Sequence, residues 1–181
     1  GLGDVYKRQV QVSEEVYYVD QPFVVVGRTE IEFLKDKVNA TPRKRIRLCA
    51  HTDTQDVLHE MLIVLAKDTY VRPAKHLRKT ESLHVIEGLA QAIFFSSEGE
   101  IDAAIALGEQ ASGRAFYYRI PEEVYHALVL ESGVFVFHEV TKGPLDRAET
   151  IFPHWAPEEG DDEAVGDYRR NLMESLREFS T

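Results

Sequence analysis

From Arg43 onward, turn signals recur every 8 to 12 residues between short runs rich in β-branched and aromatic side chains. That cadence belongs to an all-β sandwich or barrel, because each run is long enough for one strand and too short for most helices. RKRIRLCAH (residues 43–51) alternates around Ile46 and Leu48, and EMLIVLAKDTYVRP (60–73) reads as a strand with a turn at Lys67-Asp68. SLHVIEG and AQAIFFSSEGEIDAAIAL predict a hairpin series with turns at Glu87-Gly88 and Ser97 to Gly99. RAFYYRIPEEVYHALVLESGVFVFHEV continues the pattern, broken at Pro121-Glu122 and Ser132-Gly133.

The flanks differ from this middle. Val16 to Val26 reads as extended, and Thr29 to Ala40 as a short helix with Thr29 as cap, Glu32 three residues later and Pro42 closing it. After the aromatic, proline-containing TIFPHWAP (150–157) and the acidic EEGDDE, the run AVGDYRRNLMESLREF sets Tyr168, Leu172, Leu176 and Phe179 near helical spacing. A C-terminal helix is expected there, packed on the barrel or on a partner subunit. The expected organisation is a strand and helix extension over 10–42, a β-barrel over 43–149 and a tail with a helix over 150–181. The opening GLGDVYKRQ, without an initiator Met, resembles read-through of a sequencing adapter, so residues 1–9 are expected to be non-native and are set apart.

Composition narrows the function classes. The chain has 181 residues, 44% of them apolar, consistent with one soluble globular domain. Thirty-one acids against 21 bases leave a formal net charge of −10, which argues against nucleic acid or an anionic membrane as partner. Cys49 is the single cysteine, so no intrachain disulfide forms and a cytoplasmic setting is expected. No apolar run approaches the ~18–20 residues that span a bilayer.

Within an all-β frame, His76, Glu81 and His126 form the set that carries chemistry. Four residues separate His76 from Glu81, room for a strand end, a tight turn and the next strand. His126 stands five residues after Pro121, again where a turn becomes a strand. Alternate strand residues share a face, so all three side chains can project into one barrel mouth. Two imidazoles and a carboxylate are the ligands of a facial triad, suited to Fe(II) and also to Mn, Ni or Zn.

The spacing His-x4-Glu-x6-Gly followed by Pro-x4-His resembles the two metal motifs of the cupins. The words HEMLIVLAKDTYVRP, KTESLHVIEG, YYRIPEEVYHALV, HEVTKGP and FPHWAP are closer to one branch, the WbuC-type cupin-fold metalloproteins of bacterial surface-polysaccharide gene clusters. The resemblance runs from about Arg43 to Pro157 and implies a jelly-roll-like, double-stranded β-barrel with a divalent metal in its mouth. It also implies a sugar or sugar-nucleotide substrate, and isomerase, epimerase or oxygenase chemistry; no catalytic residue follows from it. The chain departs from the pattern at Ala74, where cupins generally carry a first His two residues before His76. Tyr125 and Glu123, the latter where many cupins have Gly, are milder departures. A non-catalytic sugar- or acid-binding module with a degenerate metal site is therefore the alternative, and a structural homodimer a third reading.

Other side chains surround the set. Arg72, Lys75, Arg78 and Lys79 form a basic rim suited to an anionic group, with Arg72 sharing the parity of His76; the competing reading is a solvated loop. Tyr70, Tyr118 and Tyr125 are candidates for stacking on a ligand or donating a proton, against packing. Arg43, Lys44, Arg45 and Arg47 read as an exposed strand edge that discourages aggregation. Alternation turns Leu83 and Val85 inward and His84 outward, while the side taken by His138 depends on register. His51 and His59 read as structural or surface residues, and His154 as packing against Trp155.

Overall fold

The computed structural model describes residues 9–179. The expected non-native segment falls outside the described residues except for Gln9. Along the chain run β1 (Gln9–Ser13), β2 (Val16–Val19), α1 (Arg28–Val38), β3 (Arg45–Cys49), β4 (Leu58–Ala66), β5 (Lys75–His76) and β6 (Glu81–Glu87). Then come β7 (Leu89–Phe95), β8 (Ile101–Gly108), β9 (Tyr117–Ile120), β10 (Tyr125–Leu130), β11 (Val134–Lys142), β12 (Thr150–Ile151) and α2 (Asp162–Phe179). The protein is mostly β with two helices, in line with the all-β expectation for the middle of the chain. No helix among the described residues is long and apolar enough to cross a membrane.

The strands form a seven-stranded sheet in the order β1-β2-β3-β4-β11-β6-β9, a three-stranded sheet β10-β7-β8 and a short pair β12-β5. Strand alternation then sorts the side chains into layers. On the large sheet, Ile46, Leu48, Leu62, Val64 and Val136 pack under α1 with its Ile31, Leu34 and Val38. Their neighbours Leu65, Leu83, Val85, Phe135 and Phe137 face the other way and meet Ala90, Ala92 and Leu128 of the small sheet. The far side of the small sheet, with Ile93, Phe95 and Ala127, is covered by Leu172 and Leu176 of α2. Helix, large sheet, small sheet and helix thus stack in four layers, and the site lies between the two sheets.

Several local expectations shift. Glu87-Gly88 is a crossover rather than a hairpin: β6 pairs with β11 and β9, whereas β7 pairs with β10 and β8. Gly88 makes this corner with φ +93°, and a side chain there would strike the Val134 carbonyl. The helix cap moves to Gly27, whose N–H donates to the Glu30 carboxylate at 2.7 Å, because Glu30 rather than Glu32 stands three residues after the cap. The extended segment near the start of the chain is a strand only over Val16–Val19. The basic run is not an exposed edge: β3 lies between β2 and β4, and Arg45 and Arg47 are half-buried on its inner face. Arg43 is exposed but pairs with buried Glu15 and with Glu159.

Candidate metal centre

The residue just before β5 meets β10 through a single bridge. Ala74 and His126 exchange both backbone hydrogen bonds, at 3.2 and 3.0 Å, and Glu123 N–H donates to the His76 carbonyl at 2.8 Å. Glu123 holds φ +64°, the left-handed region that favours Gly, so the turn before β10 is formed here by a residue that adopts it at a cost. Across the interior, β6 delivers Glu81 at its first position. The structure brings His76, Glu81 and His126 together, with their ligand atoms all within 4.8 Å of one another. His76 Nε2 is 3.6 Å from one Glu81 oxygen and His126 Nε2 is 3.7 Å from the other.

The outer nitrogens are already engaged. His126 Nδ1 lies 2.9 Å from the Val124 carbonyl, which can only accept, so Nδ1 carries the proton and, in the neutral ring, Nε2 keeps its lone pair toward Glu81. His76 Nδ1 is 3.1 Å from the Thr150 hydroxyl on β12, the strand paired with β5. Ligand atoms on an ion at about 2.1 Å stand roughly 3 to 3.5 Å apart, so small side-chain shifts would bring these three to a common ion. Anchored imidazoles with inward nitrogens and one carboxylate fit a divalent metal, with several positions left open.

Electrostatics follow from burial. Burial alone would raise the Glu81 carboxyl, but the hydrogen bond and charge of His126 and the charge of His76 hold it below its ordinary value. Burial would lower His126, yet the Glu81 contact wins and raises it. His76 is lowered by burial, with Glu81 opposing. Glu81 thus favours the proton on His126, while burial leaves His76 more readily neutral.

Glu139, missed by the sequence reading, faces the same space from β11. Burial first, and then the charge of Glu81, push its carboxyl up to about 8. On the same strand, parity turns His138 to the outer face, where its Nε2 lies 3.7 Å from Glu60. His84 is exposed beside Phe116 while Leu83 and Val85 are buried, as alternation requires.

Two chambers border this centre. One, of about 320 Å³, is lined by Arg45, Arg72, Ala74, Tyr118 and His126 among others. The second, of about 450 Å³, is lined by His51, His59, Lys79 and Arg147 among others. Arg47, His76, Glu81, Glu139 and Thr150 border both. Arg72 spends one arm on the Ala156 carbonyl at 3.1 Å and stacks over Phe152, while its buried Nε has no partner among the described residues. The Tyr118 hydroxyl is pushed well above its ordinary value by burial and the charge of Glu81.

Three rim candidates lie elsewhere. Tyr70 lines neither chamber: its hydroxyl donates to the Pro157 carbonyl at 3.1 Å and its ring meets Tyr168 of α2. Lys75 sits over the Tyr125 ring at 5.0 Å, and Arg78 pairs with Glu149 at 2.5 Å. Trp155 packs on Phe95, Tyr125 and Tyr168, whereas His154 is exposed and makes no ring contact with it among the described residues. His51 and His59 are not surface residues; both are buried and stacked, ring centroids 4.1 Å apart. Their inward placement depends on the pairing of β3 with β4, a relation no local spacing reveals.

A family described as "Domain of unknown function (DUF6016)" matches residues 26–107, a stretch that includes His76 and Glu81 but stops before His126. No curated protein matches the chain. Among solved structures, the chain is similar to protein SO0799 from Shewanella oneidensis, at 11% identity and a TM-score of 0.46 over 57% of this chain and 66% of that one. It is similar to procruciferin, an 11S globulin from Brassica napus, at 15% identity and a TM-score of 0.41, over 52% of this chain and 22% of that one. A mutant of Bacillus subtilis oxalate decarboxylase matches at 16% identity and a TM-score of 0.44, over 54% of this chain and 24% of that one. The chain therefore spans about a quarter of the length of the last two and just under two thirds of the first.

Proposed function

We propose that the protein is a cupin-type metal protein whose centre, formed by His76, Glu81 and His126, acts on a small molecule held between the two sheets. The observation that carries this reading is the convergence of three donor atoms in a cavity, each imidazole oriented by a partner on its outer nitrogen. A bound divalent ion would supply a Lewis-acid position at that point. The chain's own residues supply the rest. Thr150 and the Val124 carbonyl orient the rings, and Phe137, Leu128 and Ile63 present an apolar wall that limits water. Glu139 holds a proton near neutral pH in the same space, within the range useful for general acid–base work.

The substrate in this reading is a sugar or sugar nucleotide of bacterial surface-polysaccharide metabolism, supported by the motif words shared with WbuC-type cupins. Ala74 supports a second reading, a ligand-binding module with weak metal. It lines the cavity directly across from His126, so the fourth ligand of the usual set, a third imidazole, is missing at that point.

Elemental analysis of untagged protein separates the two. The account expects stoichiometric metal in the parent, loss of it in His76→Ala, and retention with about tenfold tighter binding in Ala74→His. Metal absent from the parent and gained only with Ala74→His would establish the degenerate site instead.

A further inference from the structure

The second chamber contains a group that the metal centre does not use. Lys79 is only 7% exposed, yet its ammonium makes no hydrogen bond and no ion pair with any described residue. The two carboxylates that line the chamber, Glu81 and Glu139, are not paired with it. Its charge is nevertheless felt, since it is one cause of the lowered proton affinity of both His59 and His76. An ammonium that lines a cavity with no carboxylate on it is a ready partner for the anionic group of a ligand. Arg47 adds a second cation; its one side-chain hydrogen bond among the described residues goes to the Met61 sulfur at 3.8 Å, and its charge also acts on Glu139. The exposed Arg147 lines the same chamber, as does the hydroxyl-bearing Thr54. At about 450 Å³ the space is large enough for a small organic molecule.

We propose that this chamber binds the anionic group, a carboxylate or a phosphate, of the small molecule whose other end lies at the triad, an assignment that rests on the reading of the triad above. Lys79 is the principal counter-charge and Arg47 the second. The shared border of the two chambers at His76, Glu81 and Glu139 places the metal centre beside the anion subsite, so one ligand can reach both. In an acidic protein of net charge −10, cations collected inside a cavity also favour entry of an anion over its binding elsewhere on the surface.

The test uses the full chain stripped of metal with a chelator, at low ionic strength, so that its outcome is independent of the triad. Calorimetric titration is run separately with inorganic phosphate and with propionate, and whichever anion binds identifies the subsite as one for phosphate or for carboxylate. The parent binds one equivalent of one of them. Lys79→Met weakens that binding at least about tenfold and Lys79→Arg stays within about threefold. The proposal is overturned if neither anion binds the parent, or if Lys79→Met binds as tightly as the parent. Metal analysis decides the triad reading on its own, so failure of either assignment is visible without the other.

Discussion

The two faces of the large sheet are built on the same strands and behave oppositely. The even-numbered residues of β3, β4 and the start of β11 that meet α1 are aliphatic, and Leu48, Val64 and Val136 are fully buried. The odd-numbered residues of β4 and β11 begin in the same way, with Leu65, Phe135 and Phe137. Toward the other end of those two strands they change to Glu139, Thr141 and His59, while β3 sets Arg45 and Arg47 level with Leu65 and Ile63; these polar residues line the chambers. The outer face is aliphatic where α1 covers it, while the inner face places ionisable groups between the sheets. Charge in a protein interior destabilises unless it is matched, so the α1 face is the counterweight that lets the inner face carry chemistry.

Cutting into the α1 face is expected to have the largest effect. Leu34 is 0% exposed and central to that layer; Leu34→Ala should cost about 2–5 kcal/mol in urea unfolding. Metal stoichiometry should not change while the protein is folded. Loss of metal with stability intact would mean that the two faces are not separable.

A smaller effect of the opposite sign is expected on the inner face. The Glu139 carboxyl is raised in the fold from 4.5 to about 8. Between those values the folded state holds a proton that the unfolded state has lost, so stability falls as pH rises through the window. Glutamine does not ionise. In metal-free protein, Glu139→Gln should match the parent below pH 4.5 and exceed it above pH 8, by at least about 1.4 kcal/mol, the value of one pKa unit. A constant difference across that range would remove Glu139 from the set of strained inner charges.

What was legible in the sequence divides along the same line. Spacing within a short segment joined His76 and Glu81, because a turn between two strand ends keeps close neighbours in sequence close in space, whereas His126 came from the second, distant motif Pro-x4-His. Alternation located Leu83, Val85 and the outward His84 for the same local reason. The crossover at Gly88 was misread because β6 finds its partners in β11 and β9, far along the chain. Glu139, Arg47, His51 and His59 went unrecognised because facing inward is decided by pairing among β3, β4 and β11. The charge of Arg45 and Arg47 pointed outward by its composition alone. Arg45 is half-buried because Glu159, from the tail beyond β12, pairs with it at 2.9 Å.

The central claim is that three donors on the inner face hold one divalent ion. Titrating chelator-treated protein with cobalt(II), followed by visible absorption and calorimetry, tests it most directly. The account predicts one equivalent bound with a ligand-field spectrum of mixed nitrogen and oxygen donors, and a loss of more than about 100-fold in affinity in Glu81→Gln. Cobalt bound equally well by parent and Glu81→Gln, or by neither, would contradict it.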